Sequence, residues 1–274
     1  MTINCRGKLI DLSLPKVMGI LNINDDSFYE GSRVQNAKLA RDKAEKMLAE
    51  GATFVDVGAM SSRPGARLLD AQDEWQVLQP ILAELMNVTD IIISVDTVWS
   101  YTAQRALDQG VHIINDISAG SLDEGMMSTL NMFSDVPYIM MHMRGRPETM
   151  QQQTNYENVV LDVLKYFSHK IRQARDCGIK DLIIDPGFGF AKTKEQSFEL
   201  LKHLMEFQIF DLPILAGLSR KSMLYKTLNV QAADALNATS VVNTIALING
   251  ASILRVHDVR EAVEAIEFYK LVKP

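Results

Sequence analysis

The chain has 274 residues, of which 47% are hydrophobic and 23% are charged, a composition that excludes a disordered or fibrous protein. Its formal net charge of −6 at pH 7 argues against a nucleic-acid-binding protein, which usually carries a basic balance, so a phosphate site would have to be local. With no run of about 18 apolar residues, no apolar leader and only two cysteines, the protein is predicted to be cytoplasmic, with free thiols and no membrane span.

Short apolar runs recur along the chain, and most of them are rich in valine and isoleucine. They are nearly continuous rather than alternating, which is typical of parallel strands buried on both faces. The predicted strands are, in chain order, 17–22, 53–58, 91–96, 112–117, 137–142, 181–185, 213–219 and 252–257.

Stretches with helical spacing separate these strands, and some end at a glycine in the C-cap position, such as Gly51 and Gly250. The predicted helices are 37–50, 71–86, 100–109, 123–133, 156–177, 194–208, 234–249 and 259–271. This alternation predicts a single (β/α)8 TIM barrel domain over residues 1–274, since such barrels typically have about 250 residues. The alternative, an open doubly wound sheet, would usually need fewer strands.

Residues 1–16 precede the first strand and are predicted to form a hairpin that plugs the bottom of the barrel. The longest connections, 23–36, 59–70 and 143–155, follow the first, second and fifth strands. All three therefore lie on the C-terminal face of the barrel, where long loops usually build a functional site.

Nearly every predicted strand ends in a polar or ionisable residue. A barrel core does not need such residues, but a barrel active site takes its groups from the C-terminal ends of several strands. A single strand-end Asp is more often a helix cap or a loop hydrogen-bonder, and we expect Asp56 to be structural. The set comprises Asn22, Asp56, Asp96, Asn115, Asp116, His142, Asp185, Ser219, Arg220, Lys221, Arg255 and His257.

The acidic and amide members can bind a flat heterocycle with amidine-like N–H groups, because a carboxylate accepts two parallel N–H bonds. Asp96, Asn115 and Asp185 are the candidates. For Asp185, which precedes Pro186 and Gly187, organising a turn is an equal alternative.

The cationic members point to an anion. Arg255 and His257 are two apart and face the same way, while Arg220 and Lys221 follow the seventh strand. The loops after strands 7 and 8 form the recurrent phosphate site of these barrels. The alternative for Arg255 is an ion pair with an acidic residue within 258–261.

The glycine-rich segment 185–190 lacks the GKS/T ending of a Walker A loop. Its Phe188 and Phe190 are either core plugs or a stacking surface for a planar ligand. His142 is more simply a structural imidazole than a base, and no nucleophilic triad or zinc-ligand spacing is evident.

Eight blocks, in order and spanning nearly the whole chain, resemble the signature blocks of the dihydropteroate synthases. They are ILNINDDSF (20–28), SSRPGA (61–66), SVDT (94–97), NDIS (115–118), MHM (141–143), DPGFGF (185–190), SRKS (219–222) and RVHDV (255–259). The resemblance implies an enzyme of folate synthesis that joins 6-hydroxymethyl-7,8-dihydropterin diphosphate to 4-aminobenzoate, giving 7,8-dihydropteroate and diphosphate by an SN1-like route. It also implies Mg²⁺ as cofactor, sulfonamides as competitive inhibitors and a homodimer.

The resemblance further implies the site residues. The pterin would be bound by Asp96, Asn115, Met140, Asp185, Lys221 and Arg255, with Asp96, Asp185, Lys221 and Arg255 as the catalytic set. The diphosphate would be bound by Asn22, Arg255 and His257, and Mg²⁺ by Asn22. The 4-aminobenzoate would be bound by Phe28, Ser62, Arg63, Pro64, Phe190, Lys221 and Ser222.

The chain departs from the family's common blocks in three places. NINDDSF stands where NVTPDSF is usual, AMSSRPGA where GESTRPGA is common, and FGFAK where FGFGK is usual. The pterin and diphosphate residues are retained, so these departures bear on rate and inhibitor response rather than on reaction type.

Two rival functions are considered. A pterin-barrel methyltransferase would share the pterin-binding Asp and Asn but would not need SRKS or a diphosphate clamp. A catalytically idle pterin-binding relative is supported only by the altered 23–36 loop.

Overall fold

The computed structural model describes residues 1–23, 33–59 and 68–272. Its strands are β1 (Thr2–Cys5), β2 (Lys8–Asp11), β3 (Lys16–Asn22), β4 (Phe54–Gly58), β5 (Ile93–Asp96), β6 (Ile113–Asp116), β7 (Tyr138–Met141), β8 (Leu182–Asp185), β9 (Leu215–Ala216) and β10 (Ile253–Val256). Its α-helices are α1 (Arg33–Ala49), α2 (Ala71–Leu85), α3 (Ser100–Asp108), α4 (Gly125–Asn131), α5 (Val159–Asp176), α6 (Lys194–Lys202), α7 (Ser222–Leu228), α8 (Leu236–Ile248) and α9 (Val259–Val272).

Strands β3 to β10 form one parallel sheet that closes into a barrel. The strand order is β8-β7-β6-β5-β4-β3-β10-β9. A parallel bridge between Ile184 and Ile214 and a 3.0 Å bond from Ile184 N to Pro213 O join β8 to β9 and close the ring. The predicted (β/α)8 barrel is confirmed.

The bottom of the barrel is filled by apolar side chains and by the N-terminal hairpin. Each of the eight barrel strands, or the residue just before it, contributes one buried side chain to an apolar layer: Met18, Phe54, Ile92, Ile113, Ile139, Ile183, Leu215 and Ile253. From the hairpin side, Ile3, Cys5 and Leu12 pack against this layer. Arg6 fixes the hairpin by donating to the carbonyls of Val111, at 2.8 Å, and Leu107. The predicted plug is therefore confirmed.

Several element boundaries differ from the predictions. Helix α7 lies where we predicted none, because its seven residues are too few to show a period. The predicted strand 213–219 shortens to β9, and the predicted helix 194–208 divides into α6 and a 3₁₀ helix, Leu204–Phe210. Helix α5 begins only after Asn158, whose side chain accepts from Leu161 N at 3.0 Å and so caps it.

Helices surround the barrel, and a second apolar cluster fills the space between them and the outer faces of the strands. Among the described residues, no helix combines the length and apolar character needed to cross a lipid bilayer.

Candidate active site

A layer of polar side chains lies directly above the apolar layer inside the barrel. Successive side chains of a strand alternate between its faces, so residues two apart point the same way. On β4, β6, β8 and β10 the residue two positions after the apolar-layer member is polar, and on β5 Asp96 lies four positions after Ile92. This polar layer comprises Asp56, Asp96, Asn115, Asp185 and Arg255, and four of the five are less than 9% exposed, with Arg255 at 16% for its side chain.

Arg255 lies at the centre of a hydrogen-bonded group. Its Nε donates to Asp56 Oδ2 at 2.6 Å and its Nη2 donates to Asp96 Oδ2 at 3.0 Å. Asn115 Nδ2 donates to the same Asp56 oxygen at 3.0 Å. Asp56 is fully buried, so it orients Arg255 and Asn115 from below, which agrees with the structural role expected for it.

The alternative partner considered for Arg255 is occupied by another residue. Asp258 accepts from Arg220 Nε and Nη2 at 2.8 and 2.9 Å, and Arg220 Nη1 also donates to Ala232 O at 3.0 Å. Arg220 thus ties the loop after β9 to the segments around α8 and β10. Its guanidinium is paired with Asp258 and a backbone carbonyl rather than with a member of the polar layer, and its predicted part in the anion site stays a prediction.

Asp185 and Lys221 face each other across Gly217. A Cβ on Gly217 would lie 3.8 Å from Asp185 Oδ2 and 3.9 Å from Lys221 Nζ, so this glycine leaves both groups room. Asp185 Oδ1 accepts from Gly187 N at 2.8 Å, which makes the carboxylate the organiser of the following turn. Its other oxygen lies on the side of Lys221, so the turn does not use up the carboxylate.

The two phenylalanines of segment 185–190 have different roles. Phe188 is fully buried in the cluster between barrel and helices, which makes it a core plug. Phe190 lies instead in a cluster at the barrel mouth with Ile117 and Met141, and Lys221 Nζ is 4.6 Å from its ring centroid. Phe190 is therefore the member available to a planar ligand.

The structure corrects the assignment of Met140 to the pterin pocket. Ile139 belongs to the apolar layer inside the barrel, whereas Met140 is fully buried in the outer cluster against the helices. Met141 belongs to the cluster at the mouth. Because facing alternates along β7, Met141 lies on the inner face and Met140 on the outer face.

Two of the three residues predicted to bind diphosphate, Asn22 and His257, lie on the rim of the barrel, whereas Arg255 belongs to the polar layer. Asn22 ends β3 and is exposed, and His257 follows β10, the strand that pairs with β3. His257 is also exposed, and its Nδ1 lies 3.0 Å from Ser219 Oγ, in the loop that follows the neighbouring β9. Ser222 is half-buried at the start of α7.

Burial brings the pKa values of two groups at the barrel mouth close to neutral pH. The pKa of Asp96 is raised to about 7, chiefly by burial; Arg255 opposes the shift, and the nearby Asp56 and Asp185 add to it. Burial likewise lowers the pKa of Lys221 to about 8, opposed by Asp185 and assisted by Arg255. Burial also raises the pKa of Asp185. Perturbed groups gathered in one place are typical of a functional site.

Four predicted residues of the 4-aminobenzoate site, Phe28, Ser62, Arg63 and Pro64, lie outside the described residues. Their placement stays a prediction. The departures in NINDDSF and AMSSRPGA lie mostly in the same two segments.

Sequence reasoning missed Lys192, which is only 2% exposed. Its Nζ lies 2.8 Å from His142 Nδ1 and donates to Gly187 O and Phe190 O at 2.9 Å each. The only signal was a lysine directly after a glycine-rich apolar segment. His142, 1% exposed and bound to this lysine, is structural, as expected.

The sequence pattern of the pterin binding enzymes matches residues 18–257 of this chain. The dihydropteroate synthase of Escherichia coli (strain K12) is 40% identical over 268 residues, covering 97% of this chain and 94% of that enzyme. The dihydropteroate synthase of Haemophilus influenzae is 37% identical over 272 residues, covering 98% of both chains.

Solved structures are similar over nearly the same length. The Yersinia pestis dihydropteroate synthase in a sulfonamide drug complex has a TM-score of 0.93 at 37% identity, covering 100% of this chain and 99% of that one. The Xanthomonas albilineans dihydropteroate synthase with 4-aminobenzoic acid has a TM-score of 0.91 at 31% identity, covering 99% and 98%.

Proposed function

The chain belongs to the dihydropteroate synthases, a family of pterin-binding enzymes, and we propose that the polar layer and the rim above it form its catalytic centre. It is a transferase of folate synthesis, which condenses 6-hydroxymethyl-7,8-dihydropterin diphosphate with 4-aminobenzoate to 7,8-dihydropteroate and diphosphate. The observation that carries the proposal is the convergence of Asp96, Asp185, Lys221 and Arg255 at one end of the barrel.

We propose that the pterin lies flat over the polar layer. One oxygen of Asp185 accepts from Gly187 N, and the other would accept from the amino-pyrimidinone edge. Asn115, oriented by Asp56, offers an amide group beside it. Lys221 would donate to the acceptor atoms of the same ring, and Met141, on the inner face of β7, would contact the ring in place of Met140.

The reaction breaks the C–O bond between the pterin methylene and the diphosphate, and the bonding electrons leave with the diphosphate. The methylene is left with positive charge that spreads into the ring, which favours an SN1-like route. Asp96 and Asp185 would stabilise this charge, since groups placed opposite developing charge usually give the largest catalytic contribution. The amine of 4-aminobenzoate then forms the C–N bond and loses a proton, so no nucleophilic triad is needed.

The leaving diphosphate would be held at the rim by Asn22, Arg255 and His257. Two N–H groups of Arg255 bind Asp56 and Asp96, which fixes the guanidinium plane before a ligand arrives. His257 is exposed beside Ser219 and can turn its ring edge to an anion. These cations come from β10, and Asn22 from the neighbouring β3.

The family implies Mg²⁺, and the available donors fit this ion. Mg²⁺ prefers oxygen ligands and is commonly held by one or two protein groups together with substrate phosphates. Asn22 offers an exposed amide oxygen at the rim, and the described residues hold no group of three His, Cys, Asp or Glu that could bind a metal alone. We propose that Asn22 contacts Mg²⁺ carried by the diphosphate, where the ion would neutralise the leaving group.

We propose that 4-aminobenzoate binds beside Phe190, Lys221 and Ser222, and that Phe28, Ser62, Arg63 and Pro64 also contact it. The Lys221 ammonium above the Phe190 ring suits a small aromatic carboxylate. Since a similar Yersinia pestis enzyme was solved with a sulfonamide drug, we propose that sulfonamides compete at this site. Turnover that stays unchanged at saturating drug would rule out the competition.

We also propose a homodimer that uses the exposed stripe of α8. Val241, Ile245 and Ile248 are 52%, 40% and 56% exposed, whereas Val242 packs inward on the barrel. Phe268 on the adjacent α9 is 72% exposed and extends the surface. Sedimentation should give twice the chain mass, and Ile245→Glu should shift it to the mass of one chain.

The two free cysteines support a cytoplasmic location. We further propose that residues 1–274 act as a single catalytic unit, since the polar layer draws on strands from β4 to β10.

A turnover assay with pterin diphosphate, 4-aminobenzoate and Mg²⁺ tests the proposed function. Diphosphate and 7,8-dihydropteroate should form in equal amounts. Pterin binding without diphosphate release would mean an idle protein and would overturn the proposal.

A further inference from the structure

Lys192 is a buried cationic side chain without a carboxylate in contact among the described residues. Its Nζ is surrounded instead by His142 Nδ1 at 2.8 Å, the carbonyl oxygens of Gly187 and Phe190 at 2.9 Å, and His142 O at 3.3 Å. Burial lowers the pKa of Lys192 well below its usual value, and burial also lowers that of His142. Burying an amine in this way is expensive, so its hydrogen bonds must compensate.

The hydrogen bonds of Lys192 are complete in either protonation form. As an ammonium, Nζ donates one N–H to His142 Nδ1 and one to each of the two close carbonyls. As a neutral amine, it donates to the two carbonyls and accepts from a protonated Nδ1. Both forms hold Gly187 O and Phe190 O at the same point, so the contact persists whichever nitrogen carries the proton.

The two carbonyls held by Lys192 belong to the segment that arranges Asp185 and Phe190. Gly187 N donates to Asp185 Oδ1 at 2.8 Å, so the residue whose carbonyl Lys192 holds also binds the carboxylate through its own N–H. Lys221 Nζ donates to Phe188 O in the middle of the same segment. Segment 187–190 is thus fixed by Lys192 on one side and by Lys221 on the other.

The backbone around this contact is tightly packed. Gly187 has a φ of +70°, and a Cβ there would lie 2.1 Å from His142 O. Ala191, next to Lys192, is fully buried and has a φ of +49°. This backbone conformation is unfavourable for most residues other than glycine. Strain of this kind persists only where the surroundings determine the backbone strongly.

We propose that Lys192 is a positioning residue for pterin binding, which acts by holding Gly187 and Phe190 so that Asp185 keeps its orientation. The inference rests on the proposed function, because it assigns Asp185 to the pterin. Lys192 touches neither substrate in this account, so its effect must pass through Asp185.

The test is a double-mutant cycle on affinity for the pterin diphosphate, measured by calorimetry without 4-aminobenzoate. Lys192→Met keeps the length of the side chain and removes every N–H donor, and we expect it to weaken binding about tenfold. In an Asp185→Asn background the same change should weaken binding less than about twofold, because the carboxylate it positions is gone. Lys194→Met, at an exposed lysine two residues further on, is the matched control and should leave affinity unchanged.

Equal losses from Lys192→Met with and without Asp185 would overturn the inference, since a role in general stability would not depend on that carboxylate. If Lys192→Met fails to fold, His142 provides a second pair. His142→Asn keeps an acceptor near the Nδ1 position and should bind within about threefold of wild type, whereas His142→Leu removes it and should lose about tenfold. Equal affinities for this pair would also overturn it. Wild-type protein that binds no pterin would contradict the proposed function instead.

Discussion

The same barrel strands build two layers that differ completely in chemistry. The apolar layer at the bottom is sealed by the N-terminal hairpin, whereas the polar layer at the mouth holds ionisable groups. On β4 the two layers are Phe54 and Asp56, and on β10 they are Ile253 and Arg255. On these two strands, residues two apart on the same face therefore differ in role: the first packs in the core and the second belongs to the candidate active site.

The two layers also differ in what they contribute to folding. Burying a large apolar side chain stabilises the fold by roughly 1.5–3 kcal/mol. Burying an ion carries a desolvation penalty of several kcal/mol, which a partner only partly offsets. Asp96 and Lys221 illustrate this penalty, because burial shifts the pKa of each in the direction that favours its uncharged form. The fold can tolerate the polar layer because the layer beneath it and the helix contacts supply the stability.

The largest expected effect follows from Arg255→Ala in the polar layer. The change removes a cation proposed to bind the diphosphate and leaves Asp56 and Asp96 without their charged partner. We expect kcat/KM to fall by at least about an order of magnitude, because charged hydrogen bonds are worth roughly 1.5–3 kcal/mol. Urea unfolding should show an added loss of stability, since breaking a buried pair costs roughly 3–5 kcal/mol.

The control for this change is Arg260→Ala, an exposed arginine on α9 paired with Glu264. It should leave kcat/KM and the unfolding midpoint nearly unchanged. Near-wild-type kinetics for Arg255→Ala would remove Arg255 from the site.

Phe54→Ala tests the apolar layer. Removing a fully buried phenylalanine typically costs about 3–5 kcal/mol, so the unfolding free energy should fall by that amount. Both KM values of the protein that remains folded should stay within about twofold of wild type, since no substrate reaches this layer. A large change in KM without loss of stability would break the distinction between the layers.

The pH profile offers a subtler comparison. Asp96 must be ionised to stabilise the positive charge that develops on the pterin, so kcat/KM should fall as the pH drops below about 7. Lys221 must be charged, so kcat/KM should fall again as the pH rises above about 8. Asp96→Asn should lower the plateau and remove the acidic limb, whereas an acidic limb that persists unchanged would exclude Asp96 as its origin.

Ala191→Gly should have the smallest effect. Glycine relieves the positive φ at this position, worth about 1–2 kcal/mol, but it loses roughly 0.5–1 kcal/mol through greater freedom in the unfolded chain. We expect a gain in unfolding free energy of about 1 kcal/mol or less and unchanged kinetics. Destabilisation by more than about 1 kcal/mol would show that the Ala191 methyl packs productively instead.

Much of the contrast between the apolar layer and the polar layer could be predicted from the sequence. The strands were predictable because both of their faces are buried, and Asp96, Asn115 and Asp185 were predictable as polar ends of apolar runs. The hairpin plug followed from the residues left before the first barrel strand. For Asp185, the interpretations as a turn organiser and as a heterocycle-binding group are compatible. One oxygen organises the turn, while the other faces the barrel mouth.

Other features could not be predicted, because they depend on pairing across the barrel. The run from Tyr138 to Met141 is apolar on both faces, so nothing in it distinguished Met140 from Met141. Arg220 follows β9 and Arg255 lies in the neighbouring β10, and only the structure shows that Arg220 binds Asp258 and Arg255 binds Asp56. Lys192 resembles a surface lysine until the fold surrounds it with carbonyls.

The central claim is that the pterin binds at the C-terminal ends of the strands. Asp181 immediately precedes β8 and Asp185 ends it, so Asp181→Asn and Asp185→Asn form a matched pair. Calorimetric titration with the pterin diphosphate should show affinity reduced at least about tenfold in Asp185→Asn and within about twofold of wild type in Asp181→Asn. Equal affinities in the two variants would contradict the account.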